Sequence, residues 1–159
     1  MTRAEAFERV VARWKPRKIS LERFSFARPS PSVAESRRWL IPWMGNASTL
    51  GAAAAAYRGI DAVIAPTDTA ESREAAERLI STETCFPLRG VLGDLVAFLE
   101  KEAAEKGAER VRDEYLVFMP TTSGPCRFGK YAEVLALCLE NLGFGSIPIV
   151  SPTSETGYL

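Results

Sequence analysis

A thiol at the start of a helix is the clearest chemical signal in this chain. Residues 115–119 form a short apolar run that stops at Pro120, the pattern of a buried strand. A hydroxyl- and glycine-rich turn follows, Thr121, Thr122, Ser123 and Gly124, and then Pro125, Cys126 and Arg127. Beyond it, Tyr131, Val134, Leu135, Cys138 and Leu142 recur at i, i+3, i+4, i+7 and i+11, one apolar face of a helix. Unpaired backbone N–H groups and the dipole at a helix N-terminus favour an anion, and a thiolate is an anion. Arg127 adds positive charge beside it. Cys126 therefore reads as a functional thiol. Cys85 lies in a loop, 81–87, where it is free to ligate, whereas Cys138 falls on the apolar helix face and reads as core.

Composition narrows the chemistry further. The 159 residues include no histidine, which excludes Ser-His-Asp triads, Cys-His dyads and the commonest zinc sites. Three cysteines without CxxC spacing do not make a disulfide scaffold, and in a reducing compartment they stay available for metal or redox work. The balance of 47% hydrophobic and 25% charged residues is that of a globular domain. No apolar run approaches membrane-spanning length, and the N-terminus is charged from Arg3 on with no apolar signal core, so a cytoplasmic location is expected.

Charge divides the chain in two. Residues 1–38 carry ten Lys/Arg and four Asp/Glu, a net of +6, against −6 for residues 39–159. The basic arm lacks the aromatic interleaving of an RNA-binding segment, so it is expected to dock on its own domain or a partner rather than on nucleic acid. Thr2 and Glu5 have capping-box spacing, and Phe7, Val10, Val11 and Trp14 form the stripe of an amphipathic helix ending before Pro16. Residues 19–36, with Pro29 and Pro31, read as an extended connector.

From Trp39 the elements alternate. Strands are expected at 39–41, 62–65, 115–119 and 147–150; residues 43–48 lead into a helix ending near Gly59, a second helix follows the Asp68–Glu71 cap, and a third runs from about Gly90 to Lys106. That alternation predicts an α/β domain with an open parallel sheet and helices on both faces. Each strand meets proline and then small polar residues, among them Asn46, Thr67, Asp68, Ser123 and Thr153. Ligands of open α/β sheets bind outside the carboxyl ends of the strands, so one rim collects the candidate site.

The run from Pro120 to Tyr131 resembles a signature of the 2-hydroxyacyl-CoA dehydratase/benzoyl-CoA reductase-like family. It looks most like the region that follows the ATPase domains in large CoA-substrate-specific enzyme activase proteins. Residues 41–46 (Ile-Pro-Trp-Met-Gly-Asn), 83–87 (Glu-Thr-Cys-Phe-Pro) with Gly93 and Asp94, and 151–158 are similar to further segments of that family, in order. The resemblance implies a flavodoxin-like fold and a [4Fe–4S] cluster, with Cys85 and Cys126 as ligands and Ser123, Gly124, Arg127 and Asn46 as the cofactor-binding residues around them. It also implies a one-electron role in a dehydratase or reductase system, with an ATP-dependent activase or a second dehydratase-like subunit as partner and an acyl-CoA as substrate. No Walker-type loop occurs, so the ATPase function is not expected here. Two other readings stand beside this one: a cluster-less scaffold or acyl-CoA/anion-binding module without activity of its own, and a thiol-redox protein pairing Cys85 with Cys126.

Overall fold

Four short strands, each running into proline or a polar loop, build the sheet on which the site sits. A computed structural model describes residues 31–81 and 83–153. The elements are α1 (Pro31–Ser36), β1 (Arg38–Ile41), α2 (Asn46–Tyr57), β2 (Ala62–Ile64), α3 (Ala70–Leu79), α4 (Phe86–Lys106), α5 (Ala108–Glu114), β3 (Tyr115–Phe118), α6 (Tyr131–Asn141) and β4 (Ile149–Val150). A 3-10 turn, Arg127–Lys130, leads into α6. The expected amphipathic helix before Pro16 lies outside the described residues, as do positions 154–158 of the C-terminal likeness.

All strand pairs are parallel and the order is β2-β1-β3-β4. The α/β parallel sheet read from the alternation of elements is therefore present, in the arrangement of a flavodoxin-like open sheet. The order reverses direction between β1 and β3, which opens a crevice at their carboxyl ends. β3 and β4 continue to pair beyond Pro120, because the N–H groups of Met119 and Thr121 donate to Val150 and Pro152, both at 2.9 Å. That extension carries the Thr121 loop out over the rim.

Alternation along the strands produces two faces. Leu40, Tyr115, Val117 and Met119 join the main core with Leu92, Leu95, Leu99, Leu135 and Leu139 from α4 and α6. Trp39 and Phe118 point the other way and stack with ring centroids 5.2 Å apart. α2 covers that second face: a Cβ at Gly51 would lie 4.0 Å from Ile41 Cδ1.

Several boundaries differ from the sequence reading, each for a local reason. Residues 31–36 are helical rather than extended, because Pro31 has the backbone angle that starts a helix and its missing N–H costs nothing in the first turn. α4 begins at Phe86, before Gly90, with Pro87 in its first turn where a missing N–H costs nothing. α5 has no counterpart in the sequence reading; seven residues are too few to show a clear helical period. β4 is two residues long, since Ile147 turns into the core and Pro148 cannot donate to the ladder.

The far end of the sheet is held by a polar cluster. Lys106 Nζ lies 2.6 Å from Glu102 and 3.0 Å from Glu114, and the buried Tyr115 hydroxyl donates to Glu102. Burial pushes the Glu102 carboxyl up, but hydrogen bonds from Lys106 and Tyr115 outweigh it and hold it below the ordinary carboxylate range. A depressed folded value means that its stabilisation is complete above the unfolded value, about 4.3, and is lost as the pH falls through the folded one. Glu102→Gln is therefore expected to cost about 1 kcal/mol at neutral pH and progressively less in acid. Urea melts at pH 7 and pH 3 check this; an equal loss at both would contradict it.

Candidate functional site

Cys85 meets a tyrosine from a helix 46 residues further along the chain. Cys85 is the residue that precedes α4, and its carbonyl accepts the N–H of Leu88 at 3.0 Å and of Arg89 at 3.3 Å. Its half-buried thiol lies 3.2 Å from the hydroxyl of Tyr131, the first residue of α6. The hydrogen bond from Tyr131 pulls the Cys85 thiol below its usual range; burial opposes this, while the Leu88 N–H and the Arg127 charge add to it. The Tyr131 phenol moves the other way. Burial raises it most, followed by its hydrogen bond to Cys85 and the negative charges of Cys85 and Cys126.

Cys126 precedes the 3-10 turn rather than α6 itself, and its thiol is exposed. The turn intervenes because the loop closes on itself here: Gly129 N–H donates to the Cys126 carbonyl at 3.2 Å, and the Thr121 hydroxyl donates to the Gly129 carbonyl at 3.1 Å. The helix-start environment expected for Cys126 is therefore found at Cys85. Cys138 is buried in α6 and its thiol is pushed up by burial, as a core cysteine's would be.

Two clefts open beside the thiols. One, of about 310 Å³, is walled by Thr121, Thr122, Ser123, Gly124, Cys126 and Lys130, among others. The second, of about 370 Å³, is walled by Thr84, Cys85, Leu88, Arg127, Lys130 and Val134, among others. Of the residues proposed from sequence, Cys85, Cys126, Ser123, Gly124 and Arg127 come together in this way. Asn46 begins α2 and forms part of neither wall. Tyr131 and Lys130 were not expected there. Tyr131 reads as one more residue of an apolar stripe, and nothing in its spacing reveals that its hydroxyl reaches a cysteine 46 positions earlier.

Comparison with protein-family models, curated proteins and solved structures finds no significant match to this chain. The site is read from its own geometry. No helix among the described residues is long and apolar enough to cross a membrane.

The donor set tests the cluster that the motifs imply. A cubane cluster takes four thiolates, whereas the described residues hold no group of three metal-ligating His, Cys, Asp or Glu side chains. Cys85 and Cys126 match half of that set in type and exposure, and the core cysteine Cys138 does not extend it. A whole cluster does not fit the described residues of one chain.

Tyr131→Phe isolates the hydrogen bond. Without the donor, the Cys85 titration should move back up, and its alkylation at neutral pH should slow several-fold, because the thiolate is the nucleophile. Rates of iodoacetamide labelling at Cys85, followed by peptide mass across pH, check this. Unchanged labelling would mean that the Leu88 N–H and Arg127 alone set the thiol.

Proposed function

We propose that this rim is a two-thiolate half-site for an iron–sulfur cluster, completed by thiolates of a second dehydratase-like subunit or a second copy of the chain. The observation that carries the reading is the Cys85 thiol, depressed and hydrogen-bonded to Tyr131 3.2 Å away, with the exposed Cys126 on the neighbouring loop. A thiolate, not a thiol, ligates metal, so a site that already favours the charged form spends less on deprotonation. When bound, the cluster would supply one-electron transfer, fed by an ATP-dependent activase. The chain's own residues supply the rest: Tyr131 donates to the Cys85 sulfur, Arg127 offsets its charge, and the Ser123–Gly124 loop edges the Cys126 side.

The test is iron and acid-labile sulfide content, with a visible spectrum, on protein reconstituted without oxygen from ferrous iron and sulfide. Iron shared between two chains, and lost in both Cys85→Ser and Cys126→Ser, is the expected result. Folded protein that takes up no iron, alone or with its partner, would overturn the reading.

A second reading is favoured by the cleft of Thr121, Thr122, Ser123, Gly124 and Lys130: the Lys130 ammonium, paired with Glu133 at 2.7 Å, would turn there to an anionic group such as a phosphate of an acyl-CoA beside the Ser123 loop. That module would bind equally well in Cys126→Ser, which the half-site would not survive. Inorganic phosphate and coenzyme A are the probes, read by calorimetry.

A further inference from the structure

α3 and α4 touch at Gly93 and have parted about one turn earlier. A Cβ at Gly93 would lie 2.2 Å from the Ser72 carbonyl oxygen, whereas one at Gly90 meets nothing within 4 Å. Between the parted helices lies a cleft of about 510 Å³, within the roughly 300–1,000 Å³ of small-molecule sites. It reaches Thr67, just past the carboxyl end of β2, where open α/β sheets take ligands. Phe86, Gly90 and Asp94 run along its α4 wall at i, i+4 and i+8, with Arg89 beside them, and Ala76 and Glu77 line it from α3.

The cleft holds opposite charges that do not meet. Asp94 is 3% exposed, and its only hydrogen bond among the described residues is the Asp68 N–H on Oδ1 at 3.2 Å. The Arg89 Nε is buried and has no acceptor among them. These two groups are five positions apart on α4, whereas neighbours on a helix surface are three or four apart. Arg73 is already engaged, by Asp68 at 2.6 Å. A buried charge without a partner is costly, so each group is set for a ligand that supplies the other sign.

We propose that this cleft binds a free α-amino acid with an apolar or aromatic side chain. Its α-carboxylate pairs with Arg89 and its α-ammonium with Asp94. Both ligand charges sit on one carbon, and a hydrogen bond of about 2.8 Å at each end bridges groups too far apart to pair directly. Phe86, 80% exposed, and Ala76 give the ligand side chain an apolar wall. A plain anion would meet the Glu77 and Asp94 carboxylates, and a plain cation would leave Arg89 unmatched; a zwitterion satisfies both. Neither Cys85 nor Cys126 lines this cleft, so the proposal stands apart from the cluster reading.

Calorimetry on the full-length chain tests this. L-phenylalanine should bind, while phenylpropionate, which lacks the ammonium, and phenethylamine, which lacks the carboxylate, should each bind about tenfold more weakly or worse. Arg89→Gln should weaken L-phenylalanine by a similar factor and leave phenethylamine unchanged, a split that a merely structural role would not produce. Gly90→Leu puts a side chain into the cleft and should abolish binding, with a melting temperature at or above the parent's. No heat with either L-phenylalanine or L-leucine would overturn the proposal. So would an analogue that binds as tightly as the amino acid, or binding that survives Gly90→Leu.

Discussion

Gly93→Ala should cost the fold about 3 kcal/mol, and more than its single methyl group suggests. Gly93 sits in the buried stretch of α4 against α3, where an added Cβ would lie 2.2 Å from the Ser72 carbonyl oxygen and 3.1 Å from Ala76 Cβ. A backbone oxygen cannot rotate away, so α3 and α4 must part. Their contact also holds Asp94, which is buried and accepts the Asp68 N–H at 3.2 Å. For a chain of this length the loss corresponds to a fall in Tm of roughly 6–12 °C. Gly90, three residues earlier on the same helix, is the control: a Cβ there meets nothing within 4 Å, and Gly90→Ala should be neutral or stabilising by up to about 1 kcal/mol. Thermal melts of the two variants decide the matter. If Gly93→Ala melts with Gly90→Ala, the close helix contact is not what requires glycine.

The second large effect belongs to the site. In Gly129→Ala the new Cβ would stand 2.2 Å from the Thr122 carbonyl oxygen, again a backbone atom. The Thr121 hydroxyl and the Cys126 carbonyl both bond to the Gly129 backbone, so the loop carrying Cys126 must lift from the 3-10 turn. The expected cost is about 2 kcal/mol, less than for Gly93 because a rim loop relaxes more readily than two packed helices. The functional consequence should exceed the stability loss. Iron uptake by the proposed half-site should be lost while Cys138, buried in the core, stays unreactive to alkylating reagents. Parent-like stability together with parent-like iron uptake would show that the loop tolerates the methyl group.

Much of this architecture was legible in the chain itself. Proline-stopped apolar runs alternating with helical periods announce a parallel sheet, since parallel strands need helical crossovers and lie buried on both sides. The same reasoning located the rim, and it separated Cys138, on an apolar stripe, from Cys85 and Cys126, on loops. What the sequence could not carry was distance. Cys126 looked like the thiol at a helix start, but hydrogen bonds of Thr121 and Gly129 wind a 3-10 turn there, and the tertiary fold gives that environment to Cys85.

Only the packing of α4 against α6 brings the Tyr131 hydroxyl to a sulfur 46 residues away. Local periodicity marks Tyr131 as apolar and is silent about its oxygen. The two glycines divide in the same manner. Their positions in the chain are unremarkable for helix or turn, and the need for them comes from backbone oxygens that only the assembled fold places 2.2 Å from a missing Cβ. Sequence determined which faces are apolar and where strands end, because those follow from neighbours along the chain. Tertiary structure decided which thiol receives a tyrosine hydrogen bond and which glycines are obligatory, because those depend on atoms far away in sequence.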